Sequence, residues 1–161
     1  MVSLQTAFSP WRDLAWKRTQ RWVQKSFPSV PTISPAELAG WLAQERVAPI
    51  VIDVRRAEEY AVSHLPQAHH ARSLEAVEQI IVDQGTTISQ AVPIVLYCSV
   101  GYRSARLGDS LQAAGYPVLN LTGSIFQWAN EGRPLVSADG QMTRQVHPYN
   151  WRWKLLLLPI D

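Results

Sequence analysis

Val95-Leu96-Tyr97-Cys98-Ser99-Val100-Gly101-Tyr102-Arg103-Ser104-Ala105-Arg106 reads as a buried strand, a very short turn and the start of a helix. The apolar run follows Pro93, and the helical pattern begins near Ser104. The turn between them holds the only cysteine of the chain, a glycine and an arginine. Successive backbone N–H groups in such a turn can converge beside the positive end of the following helix. A thiolate placed there is stabilised, so its pKa falls and more of it is reactive. Gly101 can adopt a backbone conformation that a side chain opposes. Arg103 adds a rigid positive fork for an anionic sulfur or oxygen species. The same residues also fit a cysteine that is only a small buried apolar group. What favours the reactive thiol is the helix behind it, with Leu107, Leu111 and Ala114 on one face and Gly115 as its stop.

Two further stretches join this one. Val51-Ile52-Asp53-Val54-Arg55 leads to Glu58-Glu59-Tyr60 and His64-Leu65-Pro66, and Asn120-Leu121-Thr122-Gly123-Ser124-Ile125 leads to Trp128, Gly132 and Pro134. Together with the cysteine loop they resemble, in order, the signatures of the rhodanese family of sulfurtransferases, over roughly Ile33 to Val136. The resemblance implies an α/β fold, a rhodanese-like open parallel sheet with helices on both faces. It also implies catalysis by Cys98 and Arg103, with Ser99, Val100, Gly101, Tyr102 and Ser104 around the substrate. Asp53 and Arg55 are then structural supports. By their spacing, Arg55 pairs with Glu58 or Glu59, or these groups equally are solvated surface charge. The implied reaction is attack of Cys98 on the outer sulfur of a donor such as thiosulfate, giving a persulfide that a thiophilic acceptor discharges. It needs no metal and no organic cofactor. Its partners are a small-molecule sulfur donor and a thiol acceptor, with a protein acceptor also open. The chain departs from the family pattern at Ser63 and Gln67, where glycines are common, and at Ser124, which replaces a second glycine. Ser124 is expected to stiffen its turn without touching the chemistry.

Other readings stay open. A cysteine-dependent phosphatase or arsenate reductase uses a wider loop, usually with five residues between cysteine and arginine. Ser99, Val100, Gly101 and Tyr102 leave a smaller cradle here, which favours a single sulfur over a tetrahedral oxyanion. A non-enzymatic persulfide carrier or protein-docking module is the alternative outside catalysis, and redox sensing would need an external thiol to resolve the oxidised cysteine.

The 161 residues have room for one sizeable core. A single cysteine excludes an internal disulfide and fits a reducing compartment. The formal charge of +2 is too small to imply nucleic-acid binding, and it is unevenly spread. Residues 1–27 carry a net +4, residues 28–132 a net −4 and residues 133–161 a net +2. With no signal-peptide pattern and no apolar run near 18 residues, a soluble cytoplasmic protein is the expectation. The organisation expected is a basic amphipathic extension over 1–30, the rhodanese-like domain over 31–137, and a C-terminal extension over 138–161 packed on it.

Ser9-Pro10 reads as a helix start, with the serine as cap. Trp11, Leu14, Ala15 and Trp22 share a face expected to pack on the protein's own body rather than on a membrane. Ser34-Pro35-Ala36-Glu37 is a capping box ahead of Leu38, Trp41 and Leu42. A short strand is expected over Ala68–Arg72, a helix carrying Leu74, Val77, Ile80 and Ile81 after it, and a loop over Gly85–Gln90. His64, His69 and His70 lack a supporting ligand group, so no metal site is expected, and His64 is read as bonding a turn. Pro117–Leu121 reads as a further strand, and Gly123 turns the chain into a helix with Phe126 and Trp128. Trp151-Arg152-Trp153-Lys154 and the four leucines after it read as a strand or short helix against the N-terminal tryptophans.

Overall fold

The computed structural model describes residues 9–44, 49–85 and 92–160. The chain order is α1 (Pro10–Ser26), β1 (Thr32–Ile33), α2 (Pro35–Leu42), β2 (Ile50–Asp53), α3 (Ala57–Val62), β3 (His69–His70) and α4 (Leu74–Asp83). It continues with β4 (Ile94–Tyr97), α5 (Tyr102–Ala113), β5 (Val118–Leu121), α6 (Ser124–Asn130), β6 (Leu135–Val136), β7 (Met142–Thr143) and α7 (Trp151–Lys154). Five strands form one parallel sheet in the order β1-β5-β4-β2-β3. A small antiparallel pair, β6 and β7, lies apart. Beyond Gly85, the loop expected over Gly85–Gln90 lies outside the described residues.

The central strands are buried along their whole length, as a parallel sheet covered on both faces requires. Their side chains alternate between two apolar clusters. Ile50, Ile52, Ile94, Leu96 and Val118 meet Val77 and Ile81 of α4 and Leu111 of α5. Val51, Val95, Tyr97 and Leu121 meet Leu38 of α2, Ile125, Phe126 and Trp128 of α6, and Ala15 and Trp16 of α1. Cys98 follows Leu96 by two residues and so falls in the cluster under α4 and α5. The sheet therefore aims the cysteine at its carboxyl edge, the edge where open α/β sheets place their ligands.

Local signals account for the helix starts. Ser34 accepts the Glu37 N–H while the Glu37 carboxylate accepts the Ser34 N–H, the reciprocal cap that the sequence predicts. Ser73 caps α4 in one direction only, its hydroxyl accepting the Ala76 N–H. Ser9 precedes α1, but its side chain makes no capping bond; its carbonyl accepts from Arg12 instead. Helix α5 begins at Tyr102, two residues before the expected start, because Gly101 takes φ +114 and turns the chain directly into it. Its buried face is Ser104, Ala105, Gly108 and Leu111, while Ala114 is exposed. Gly108 allows that approach: a Cβ there would sit 3.2 Å from Val30 and 3.4 Å from Leu96.

The face of α1 differs from the expected one. Trp11 and Leu14 are about half exposed, and it is Thr19 and Val23 that are buried, with Ala15 and Trp16 packed on the core. A 3.6-residue period makes 16, 19 and 23 one stripe, which leaves Trp11 outside it. Trp22 nevertheless stacks on Tyr102 at 4.3 Å between ring centroids and, at 6.4 Å, on Trp153 of the tail. The tail is held by Asn150, which caps α7, by buried Leu156, and by Asn130 bonding Leu156 O and Leu158 N–H. No helix among the described residues is long and apolar enough to cross a membrane.

Candidate active site

Cys98 ends the run of β4, and its Sγ accepts the Gly101 N–H at 3.2 Å. The Ser104 hydroxyl lies 3.5 Å from the same sulfur, 2.6 Å from Asn120 Oδ1 and 3.2 Å from Gly101 O, so its one proton has three acceptors within reach. Asn120, on β5 beside Leu96, uses its amide to donate to Gly101 O at 3.0 Å. The loop is thus stitched to the neighbouring strand by a residue the sequence reading gave no role. A polar side chain inside the run Val118-Leu119-Asn120-Leu121 is the signal that could have found it, since a buried amide needs partners.

The start of α6 holds the loop from the other side. Ile125 N–H donates to Cys98 O, and Phe126 N–H to Ser99 O. Ser124 Oγ accepts the Cys98 N–H at 3.1 Å and donates to Leu121 O at 3.2 Å. Ser124, expected to stiffen its turn without touching the chemistry, thus also anchors the loop that carries the cysteine. Its hydroxyl satisfies the backbone of the cysteine itself, at φ +50, a left-handed conformation uncommon for serine.

Arg103 is also placed differently from the expectation of a free fork. Its two terminal nitrogens each donate to a carboxylate oxygen of Glu59 at 2.8 Å, and one also reaches Ser99 Oγ at 2.9 Å. Glu59 is fully buried. Burial opposes its charge, but the hydrogen bonds and charge of Arg103 prevail and bring its pKa down to about 2. Burial likewise opposes the Arg103 charge and is outweighed by Glu59, so the guanidinium is held protonated. Arg55 does not take Glu58 or Glu59 as partner. It is buried and bidentate on Asp53, at 3.0 and 2.7 Å, and bonds Ser63 O at 2.6 Å. Asp53 and Arg55 thus tie the end of β2 to the turn after α3. Nothing near Glu59 in sequence announces its partner, which lies 44 residues on.

Burial raises the Cys98 pKa, and the Arg103 charge, the Ser104 hydroxyl and the Gly101 N–H together outweigh it, so the net shift is downward. The Cys98 residue is 1% exposed. Of the other loop residues, Val100 is buried against the α6 side, and Ser99 pins the Glu59–Arg103 pair. Tyr102 lies between Trp22 and Phe27 of the N-terminal segment. Tyr149 of the tail covers Arg103, 4.6 Å from guanidinium carbon to ring centre, and also lies 5.1 Å from Arg56. The histidines are engaged elsewhere: His64 Nδ1 lies 3.0 Å from Tyr60 O and His70 Nε2 lies 2.7 Å from Arg55 O.

Comparison with known proteins points to one family. A sulfurtransferase of Allochromatium vinosum is 33% identical over 92 residues, covering 56% of this chain and 81% of that protein. The crystal structure of a rhodanese-like domain protein from Staphylococcus aureus superposes with a TM-score of 0.54 at 25% identity, over 67% of this chain and 98% of that one. A Bacillus halodurans protein shares the fold at 20% identity, with a TM-score of 0.60 over 87% of this chain and 97% of its own. The family model for the rhodanese-like domain matches residues 34–131, a span that contains the whole of the loop, its Asn120 and Ser124 anchors and the Glu59–Arg103 pair. The chain belongs to the rhodanese-like domain family.

Proposed function

We propose that the protein is a sulfurtransferase that carries a sulfane sulfur as a persulfide on Cys98. The observation that carries this reading is the sulfur itself, at the carboxyl end of a central strand, accepting the Gly101 N–H at 3.2 Å at the head of α5. In the first half-reaction the Cys98 thiolate attacks the outer sulfur of thiosulfate. The S–S bond of the donor breaks, its electron pair leaves with sulfite, and Cys98 holds the persulfide. The new outer sulfur inherits the negative charge in an environment already arranged for a thiolate.

Arg103 contributes in this scheme through its charge and by fixing the loop, because its fork is spent on Glu59 and Ser99. The same engagement weighs against a phosphatase or arsenate reductase, whose arginine must grip the oxyanion directly. One observation favours a second reading. A cysteine 1% exposed suits a carrier that shields its persulfide until a protein partner opens the loop.

Thiosulfate:cyanide turnover tests the proposal. Arg103→Ala is expected to lower it by roughly ten- to a thousandfold, the range for groups that stabilise developing charge. Arg103→Lys recovers only part, since an ammonium cannot bridge both Glu59 oxygens. Equal kinetics in wild type and the alanine variant contradict the role given to Arg103.

A further inference from the structure

Beside the cysteine loop lies a cleft of about 340 Å³ lined by Val54, Arg72, Tyr102, Arg103, Arg106, Leu107 and Ser110. Three of these side chains are arginines, and no carboxylate of the described residues lines it. Arg103 already has Glu59 as its ion-pair partner. Arg72 and Arg106 are exposed and take part in no ion pair among the described residues. This concentration of uncompensated positive charge stands within residues 28–132, whose net charge is −4. Tyr102 and Arg103 bring the cysteine loop itself to the cleft wall, Val54 belongs to the apolar cluster that contains Cys98, and Leu107 packs against that cluster. Arg72 comes from the segment just after β3 and Arg106 from the second turn of α5, so two separate elements bring their charges to one opening.

We propose that this cleft binds the anionic end of the sulfur acceptor, a small thiol carrying two carboxylates. The assignment rests on the sulfurtransferase reading of Cys98. Guanidinium forks match carboxylates bidentately, and two free forks call for two such groups. A volume of about 340 Å³ is near the lower end for small-molecule sites. It suits a compound of peptide size better than a nucleotide. With the carboxylates on Arg72 and Arg106, the thiol end of the acceptor is directed toward Val54 and the loop. The acceptor thiolate attacks the outer sulfur of the Cys98 persulfide. The proton given up by the acceptor thiol passes to the charged outer sulfur, the Cys98 S–S bond breaks, that sulfur leaves as the acceptor's persulfide, and the electron pair returns to Cys98 as thiolate.

The test uses two acceptors with the same thiol. Glutathione bears two carboxylates, and its diethyl ester bears none. Thiosulfate-loaded wild type and the Arg72→Gln/Arg106→Gln variant are discharged in single turnovers, at matched thiolate concentration, and followed by loss of sulfur in intact mass. Wild type is expected to discharge to glutathione about tenfold faster than to the ester, the scale of a charge-assisted hydrogen bond or two. The variant is expected to lose that preference while its rate with the ester stays within about twofold, and added salt should erode the wild-type preference in the same way. A preference that survives in the variant, or equal loss with both acceptors, overturns the proposal. Should wild type accept no sulfur at all, the sulfurtransferase reading falls. Calorimetric titration with S-methylglutathione then decides the cleft separately: binding that the variant loses keeps it as a dicarboxylate site, and absent or equal binding removes it.

Discussion

Glu59 and Arg103 illustrate how two residues can matter to a sulfur that neither of them holds. Their bidentate pair, 2.8 Å on both arms, keeps a positive charge beside Cys98 and fixes the loop that presents it. A carboxylate held at about 2 in the folded chain, against an ordinary 4.5, favours folding wherever it is ionised. That contribution is complete above pH about 4.5 and disappears as the pH falls toward 2, a loss of about 3 kcal/mol. Urea melts between pH 6 and pH 3 should show it in wild type. In Glu59→Gln the acid slope should be smaller, and the variant should already be about 3–5 kcal/mol less stable at pH 7, because Arg103 is left without its partner. An unchanged acid slope in that variant would assign the dependence to other carboxylates. Ser124 gives a second residue-scale expectation. Ser124→Ala removes the acceptor of the Cys98 N–H and keeps the unfavourable φ of +50, whereas Ser124→Gly removes the acceptor and relieves the backbone. Alanine should therefore cost more stability than glycine, by about 1 kcal/mol, in chemical melts. The reverse order would mean that φ is not what constrains this position.

At the scale of elements, the ends of the chain bear on the loop. Trp22 of α1 stacks on Tyr102, the first residue of α5, and Tyr149 of the tail covers Arg103. Trp22→Ala should lower the melting temperature by several degrees, since it removes an aromatic stack worth about 1 kcal/mol and the apolar area under it. It should leave the protein without affinity for anionic vesicles, like wild type; vesicle binding lost in this variant would restore the membrane reading of α1. The strands and helices themselves were legible because unbroken apolar runs, the 3.6 pattern, the Ser34 cap and the glycine after β4 all act locally. Cys98 and its loop were legible for the same reason. Glu59, Asn120, Ser124 and Tyr149 were not, because each acquires its role from a partner brought close by the sheet or by docking of the ends. The stripe of α1 departs from the expected one because tryptophan type alone does not place a residue in the core. Trp11 is as exposed as a surface residue, while Thr19 lies buried with its hydroxyl bonded to Ala15 O.

On the scale of the whole molecule, a parallel sheet brings Cys98 to its carboxyl edge, α5 and α6 grip the loop from two sides, and the burial of the sulfur protects it. A buried thiol with a lowered pKa is an unusual combination for a residue that only fills space. It predicts alkylation that titrates below the ordinary cysteine range but proceeds slowly with bulky reagents, because the loop must open for them. The central claim, that Cys98 accepts a sulfur atom, is tested most directly by intact mass after incubation with thiosulfate, thiol persulfides and mercaptopyruvate in turn. Wild type should gain one sulfur, about 32 Da, with release of an equal amount of sulfite when thiosulfate is the donor, and Cys98→Ser should gain nothing while melting within a few degrees of wild type. A folded wild-type protein that gains no sulfur from any of the three donors would contradict the account.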